Sequence, residues 1–119
     1  MKAKNIVLDF YQSDVLLDKD AIIQYIHPEI IIEWNSSKGF IQMNFDDVLK
    51  LSDELKKSYI RSKIRISHIV QEKDIVSVRY SHFVKTIENP REEMLLANFM
   101  VIWEIKDDKL FRGFQMSQF

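Results

Sequence analysis

The chain has 119 residues, a formal net charge of −1, no cysteine and only two glycines, and it is 46% hydrophobic and 29% charged. This length and composition predict one globular domain over residues 1–119, with enough buried surface for a real core. The balanced charge argues against nucleic acid and anionic membranes as partners, and the lack of cysteine excludes disulfides, thiolate catalysis and zinc–thiolate sites.

No segment of the sequence indicates export or membrane insertion. Residues 1–12 contain Asp9 and lack a small-residue cleavage site, and no apolar run approaches the ~20 residues of a membrane span. We therefore expect a soluble, cytoplasmic protein.

The first half of the chain has the spacing of helices. A first helix is predicted over residues 4–13, and Asp18 suits the N-cap of a second helix, which Pro28 should end. A third helix should begin at Asn44, because Asp47 follows three residues later as in a capping box. The inward positions expected for these helices are Ile6, Val7, Phe10 and Tyr11, then Ile22, Ile23 and Ile26, and finally Val48, Leu51, Leu55 and Tyr59.

The remaining segments predict strands. Residues 29–34 are short and β-branched, and residues 36–39 form the turn that follows them. Longer strands are expected over residues 63–71, 75–86, 93–106 and 109–118, with a polar loop at 87–92 and a hairpin at Asp107 and Asp108. Because helices come first and consecutive strands follow, the fold class is α+β: three N-terminal helices packed on a strongly curved antiparallel sheet around an internal pocket.

The strand over residues 93–106 is apolar on both faces. An antiparallel sheet with one solvated face should alternate cleanly, so both faces must be covered, one of them by the helices. Helical cover on both sides is the alternative, but the helices are too few. The other face therefore predicts a homodimer. Alternation assigns Ala97, Phe99, Val101, Trp103 and Ile105 to the helix side and Leu96, Asn98, Met100, Ile102 and Glu104 to the other; the predicted interface is Met100, Ile102, Phe114 and Met116.

Four segments resemble one family. They are HPEIIIEW at 27–34, SKGF at 37–40, IVSVRYSH at 75–82 and VIWEIKDDKLFRGFQ at 101–115. In this order they resemble the nuclear-transport-factor-2-like superfamily, and its SnoaL-like polyketide-cyclase branch in particular. The resemblance implies a cystatin-like α+β cone, a pocket between the helices and the concave sheet, and homodimers through the convex face.

The family's catalytic positions hold unsuitable residues in this chain. The resemblance places the oxyanion-binding tyrosine of ketosteroid isomerases at Phe10, their general base at Trp34 and their second oxyanion donor at Val101. The carboxylate of the epoxide-hydrolase branch falls at Gln115, and an amide is no base at neutral pH. Tyr11 should point about 100° away from the pocket if it is helical.

The resemblance also implies a set of pocket residues. It places Gln115 of the last strand on the pocket face. That register requires a bulge in the hairpin at Asp107 and Asp108, because a tight two-residue loop would turn Arg112 and Phe114 inward. Val76 and Phe111 are implied to face the pocket as well. The predicted ligand-binding residues are Phe10, Trp34, Val78, Tyr80, His82, Phe99, Val101, Trp103 and Gln115.

His82 with Tyr80 is the catalytic candidate, since a histidine in an apolar pocket can act as acid or base near neutral pH. The alternative is a strand-end histidine half in solvent. His27 is expected at a helix end and His68 at the sheet margin, and their spacing predicts no metal site and no cofactor. A basic stretch, from Lys56 to Arg65, favours a solvated helix end over phosphate binding.

Three functions remain open. The leading hypothesis is a small-molecule-binding homodimer with an apolar pocket. The second is an isomerase, cyclase or hydrolase acting on an apolar substrate with His82 as base. The third is an interaction module whose pocket is filled by its own side chains.

Overall fold

A computed structural model describes residues 2–118 and confirms the α+β class. The three helices are α1 (Lys2–Phe10), α2 (Lys19–Ile23) and α3 (Phe45–Ser58), with one 3-10 turn at Val15–Leu17. The six strands are β1 (Ile26–Ser36), β2 (Gly39–Met43), β3 (Tyr59–Glu72), β4 (Ile75–Thr86), β5 (Met94–Lys106) and β6 (Lys109–Gln118). None of the described helices is long and apolar enough to cross a membrane.

The expected helix starts are confirmed. The Asp18 side chain accepts hydrogen bonds from the backbone N–H groups of Asp20 and Ala21 at the start of α2. Asn44 and Asp47 form a reciprocal capping box at the start of α3. Each cap satisfies amide groups that have no partner inside the helix.

The predicted end of the second helix is wrong. α2 stops at Ile23, and Ile26, His27 and Pro28 all belong to β1. The β1–β6 pairing has an irregularity between Ile26 and Ile31, and Pro28 falls within it. Because proline has no N–H to donate to a ladder, such an irregular stretch accommodates it.

The six strands form one sheet in the order β2–β1–β6–β5–β4–β3, antiparallel except where β1 and β6 run parallel. The sequence predicted a turn at residues 36–39 but missed β2, which pairs back on β1 from Gly39 to Met43. β2 is too short and too exposed to show a clear alternation.

The last hairpin combines a tight turn with a bulge. Asp107 and Asp108 both have positive φ, 54° and 61°, as a type I′ two-residue turn requires. Further along the same two strands, Ile105 pairs with Leu110 but Glu104 pairs with Arg112, which leaves Phe111 without a partner on β5. The bulge is therefore confirmed, and it lies in β6 rather than replacing the tight loop.

A second bulge lies on β5. His82 pairs with Ala97, whereas Phe83 pairs with Leu95, so Leu96 has no partner on β4. Simple alternation placed Leu96 on the outer face, and the bulge turns it toward the helices instead.

The core lies between the helices and the inner face of the sheet. Val7 of α1, Ile30 of β1, Val76 of β4 and Leu110 of β6 are fully buried. Trp103, at the centre of β5, is 1% exposed. Ile23 was expected inward but is exposed, because α2 is only five residues long and turns one side to the core.

Candidate functional site

A cavity of about 420 Å³ lies between the helices and the inner face of the sheet. Every helix and every strand contributes to its wall, and most of the lining is apolar or aromatic. The lining residues are Phe10, Tyr11, Leu16, Ile22, Ile32, Trp34, Lys38, Met43, Val48, Leu51, Ser52, Leu55, Tyr59, Tyr80, His82, Leu96, Phe99, Trp103 and Gln115.

Most of the residues predicted for the pocket lie at this cavity. Seven of the nine line it: Phe10, Trp34, Tyr80, His82, Phe99, Trp103 and Gln115. Val78 and Val101 are each 2% exposed and pack in the core without lining the cavity. They are cross-strand partners, and the larger rings of Tyr80, Phe99 and Trp103 on the same strands form the wall.

Phe111 and Val76 also lie away from the cavity. Phe111 is the bulge residue of β6, and its ring packs edge-on against His27 with centroids 4.8 Å apart. The bulge is thus the reason that Phe111 leaves the inner face while Gln115 stays on it. Val76 is fully buried in the core.

Tyr11 faces inward, as the helical stripe predicted, whereas the 100° rotation that turned it away from the pocket is wrong. α1 ends at Phe10, so Tyr11 does not follow the 100° rotation of a helix. Its ring is 5% exposed and lines the cavity beside Phe10. Its hydroxyl accepts a hydrogen bond of 3.0 Å from Nε1 of Trp103.

The Tyr11 hydroxyl also shares a hydrogen bond with Tyr80. Burial raises the pKa of Tyr11 to about 12, although hydrogen bonds from Tyr80 and Trp103 oppose the effect. Burial, together with the neighbouring Tyr11, raises the pKa of Tyr80 well above its usual value. Both hydroxyls are therefore neutral hydrogen-bonding groups at physiological pH.

Aromatic contacts fix the rings of this wall. Tyr80 stacks on Phe99 with centroids 4.9 Å apart and planes 15° from parallel. Trp34 lies at 6.2 Å from Phe99, and its Nε1 donates a 2.8 Å hydrogen bond to Ser117. These contacts hold the rings of the wall in defined positions relative to one another.

His82 is buried, at 3% exposure, and its Nε2 lies 2.7 Å from the Ser62 hydroxyl. Burial lowers the pKa of His82 from 6.5 to about 4, so the ring is neutral at physiological pH. A neutral ring that accepts from Ser62 at Nε2 carries its proton on Nδ1. The alternative of a half-solvated histidine at a strand end is wrong.

Helix α3 supplies one side of the cavity. Val48, Leu51 and Leu55 line it, together with Tyr59 at the start of β3. The 3.6-residue stripe of the sequence identified these four as inward-facing, although not as cavity residues. Ser52 also lines the cavity, and its hydroxyl donates to the Leu16 carbonyl at 2.8 Å.

The cavity lining contains no carboxylate among the residues that the structure describes. Lys38, in the β1–β2 turn, is the charged member of the lining. Glu33 lies on the exposed side of β1, and Glu104 is half-buried on β5 outside the cavity. Residues 2–118 also hold no cluster of three or more histidine and carboxylate side chains that could ligate a metal.

The outer face of the sheet carries the residues predicted for a dimer interface. Met100 lies opposite Met116, and Ile102 lies opposite Phe114, in the β5–β6 pairing. Their exposed fractions are 60%, 63%, 45% and 37% in the same order. These four side chains form a contiguous apolar strip, which we call the β5–β6 strip.

Comparison with known proteins finds likeness in structure alone: no family model and no curated protein matches the sequence. IdmH of Streptomyces antibioticus, a candidate polyketide cyclase, is 12% identical with a TM-score of 0.76, over 98% of this chain and 92% of that one. A SnoaL-like polyketide cyclase candidate of Jannaschia sp. CCS1 is 10% identical, with a TM-score of 0.73 over 98% and 85%.

A third similar structure has a different activity in its name. It is a LEH-like epoxide hydrolase of M. tuberculosis, 12% identical with a TM-score of 0.73, over 98% of this chain and 82% of that one. Identities this low carry the fold and leave activity open. The chain thus has the nuclear-transport-factor-2-like fold that SnoaL-like polyketide cyclases and ketosteroid-isomerase-like proteins share.

Proposed function

We propose that this chain binds a small apolar molecule in the cavity of a cone formed by the helices and the curved sheet, and that it acts as a homodimer. The observation that carries the first part is the cavity itself, about 420 Å³ and walled chiefly by apolar and aromatic side chains. Ligand sites are typically concave and apolar with a few convergent polar groups, as this one is.

The polar groups of the wall favour a neutral ligand. Tyr11, Tyr80, His82 and Gln115 are all uncharged at physiological pH, and the wall holds no carboxylate. Lys38 is the charged residue of the lining, but it lies in the exposed β1–β2 turn, so a charged group brought into the buried part of the wall would lose its hydration without a buried counter-charge. Shape and one or two hydrogen bonds would therefore select the ligand.

The geometry supports binding better than catalysis by His82. A base whose pKa lies near 4 is weak, and general-base efficiency is greatest when the pKa is near the working pH. A catalytic histidine is also commonly oriented by an acid, whereas the ring partner of His82 is the hydroxyl of Ser62. The third function, an interaction module with a filled cone, is disfavoured by the size of the cavity.

The test of ligand binding uses a neutral fluorescent probe, N-phenyl-1-naphthylamine, whose emission rises in apolar surroundings. We expect saturable binding and a rise in melting temperature, because a ligand that binds the folded state alone stabilises it. Leu55→Trp fills the cavity from α3 and should abolish binding. Ile87→Trp, a matched substitution at an exposed loop residue, should leave binding unchanged.

Two results would contradict this proposal. Equal probe binding by the folded Leu55→Trp variant and the wild type would place the probe elsewhere. His82→Ala should lower affinity for ligands that carry a hydrogen-bonding group; if affinity is unchanged across a ligand series, His82 is not part of the site.

The homodimer rests on the β5–β6 strip. Its four side chains are large, apolar and exposed in one protomer, and sheet faces of this kind are usually covered. Glu33 lies beside Phe114 on β1, and Arg79 lies beside Met100 on β4, so opposite charges flank the strip. An isologous contact can place the acid of one copy against the base of the other.

Sedimentation equilibrium tests the dimer. Met116→Lys should shift the protein to the monomer, because it puts a charge into the strip without touching the core. Ile23→Lys is the control, since Ile23 is an exposed apolar residue on α2. A monomeric wild type, or a dimer that Met116→Lys leaves intact at micromolar concentration, would refute this interface.

A further inference from the structure

A second cleft, of about 230 Å³, lies where β3 and β4 meet the loop after α1. Three basic side chains line it: Arg61 and Lys63 from β3, and Lys85 from β4. The hydroxyl-bearing residues Ser13 and Ser62 line it as well. We call it the basic cleft.

The strand register concentrates positive charge in the basic cleft. Arg61 is the direct cross-strand partner of Lys85, and Lys63 follows Arg61 by two residues on the same strand. Directly opposed side chains have Cβ atoms about 4.5–5.5 Å apart, and like charges in that arrangement repel. The basic stretch of the sequence showed Arg61 and Lys63, but only the β3–β4 pairing brings Lys85 beside them.

Two acids lie beside this charge, and each is already paired with an arginine, which leaves the charges of Lys63 and Lys85 without a carboxylate partner among residues 2–118. Asp14 binds Arg61 through Nε, at 3.0 Å, and the two terminal nitrogens of the guanidinium are not part of that contact. Glu93 lines the cleft, but its Oε1 is held by Arg65 at 2.8 Å. Within residues 2–118, neither Lys63 nor Lys85 takes part in an ion pair.

We propose that the basic cleft binds a phosphate dianion, either inorganic phosphate or the phosphate group of a small monoester. The ammonium groups of Lys63 and Lys85 supply the positive charge, and the terminal N–H groups of Arg61, whose Nε binds Asp14, supply further donors to a group of three or more acceptor oxygens. A bound dianion also relieves the repulsion between Arg61 and Lys85. The cleft has room for an organic substituent beside the phosphate.

This site is separate from the apolar cavity. The two have no lining residue in common: Ser62 lines the basic cleft, and His82, its hydrogen-bond partner, lines the cavity. Anion binding in the cleft and probe binding in the cavity can therefore be tested independently, and either can fail alone.

The experiment is a titration of isotope-labelled protein with inorganic phosphate and with phenyl phosphate, followed by amide NMR at constant ionic strength. We expect saturable shifts concentrated at residue 13, residues 61–63 and residues 83–85. Lys85→Met should weaken binding roughly tenfold or more, the scale of losing one charged hydrogen bond. Lys50→Met removes an equal charge from an exposed position of α3, away from the cleft, and should leave the affinity unchanged.

Tighter binding of phenyl phosphate than of inorganic phosphate would assign the cleft to a monoester, and equal affinity would assign it to the phosphate group itself. The proposal is overturned by shifts that rise linearly without saturation, by equal weakening in Lys85→Met and Lys50→Met, or by acetate binding as tightly as phosphate.

Discussion

Gly113→Ala tests the packing that builds the cavity wall. A Cβ at position 113 would lie 2.6 Å from Cζ3 of Trp103, 3.0 Å from its Cη2 and 3.1 Å from its Cε3. Such distances do not occur in relaxed structures, so the buried indole must move. Overpacking of this kind costs about 1–3 kcal/mol. Because Nε1 of Trp103 donates to the Tyr11 hydroxyl, a displaced indole also strains that hydrogen bond.

The assay is urea unfolding followed by far-ultraviolet circular dichroism, in a double-mutant cycle with Trp103→Phe. The three clashing atoms belong to the six-membered ring of the indole, the part that lies farther from the backbone. Phenylalanine has a single, smaller ring and does not fill the same space. Gly113→Ala should therefore cost at least about 1 kcal/mol less in the Trp103→Phe background. Additive costs in the two backgrounds would show that Gly113 is not required for close approach of the indole.

Three further predictions concern stability. Because burial holds the pKa of His82 near 4, below its unfolded value of 6.5, the folded state binds fewer protons, and unfolding free energy should fall by up to about 3 kcal/mol as pH drops from 6.5 to 4. Urea unfolding across this range should show the loss in the wild type and a smaller one in His82→Gln. Tyr11→Phe should cost about 1–3 kcal/mol, because it leaves the buried Trp103 N–H without its acceptor. Asn44→Ala should cost about 1 kcal/mol by removing the capping box of α3.

Each of these predictions can be checked by a control variant or by an outcome that would contradict it. Titration of the His82 ring by NMR reports its pKa directly, and a midpoint near 6.5 in the folded protein would refute the pH prediction. Ser37→Ala, at an exposed turn position, should be neutral beside Asn44→Ala. If Tyr11→Phe unfolds at the wild-type urea concentration, the Trp103 N–H has found another partner.

Local signals in the sequence were enough for most of the fold. Two helix caps, at Asp18 and Asn44, were predicted correctly because each depends on hydrogen bonds to residues two or three positions away. The strands 75–86 and 109–118 were predicted at their observed positions because they are bounded by short polar turns. β2 is short and exposed and shows no alternation, and the end of α2 is set by the start of β1, whose partner β6 is distant in sequence. β2 lies against β1, and Pro28 was read as a helix stop although β1 accommodates it.

Bulges explain much of what alternation could not predict at the site. Alternation assigns a face to every second residue, and one extra residue reverses the assignment beyond it. The bulge at Leu96 places the Leu96 side chain in the cavity wall, and the bulge at Phe111 takes the Phe111 side chain out of it. The rotation that turned Tyr11 away from the pocket failed for a related reason: 100° per residue applies inside a helix, and α1 had already ended.

The hydrogen bonds around the cavity give the strongest physical reason to favour binding over chemistry. No buried side-chain nitrogen or oxygen among the described residues lacks a partner. The Trp103 N–H is bound to Tyr11, the Trp34 N–H to Ser117, and the Ser52 hydroxyl to a backbone carbonyl. Catalytic groups are usually poised toward a reacting atom, with perturbed charges that the reaction relieves. Here the perturbed groups are neutral and satisfied by protein partners, so a ligand would be held chiefly by the shape of an apolar cavity.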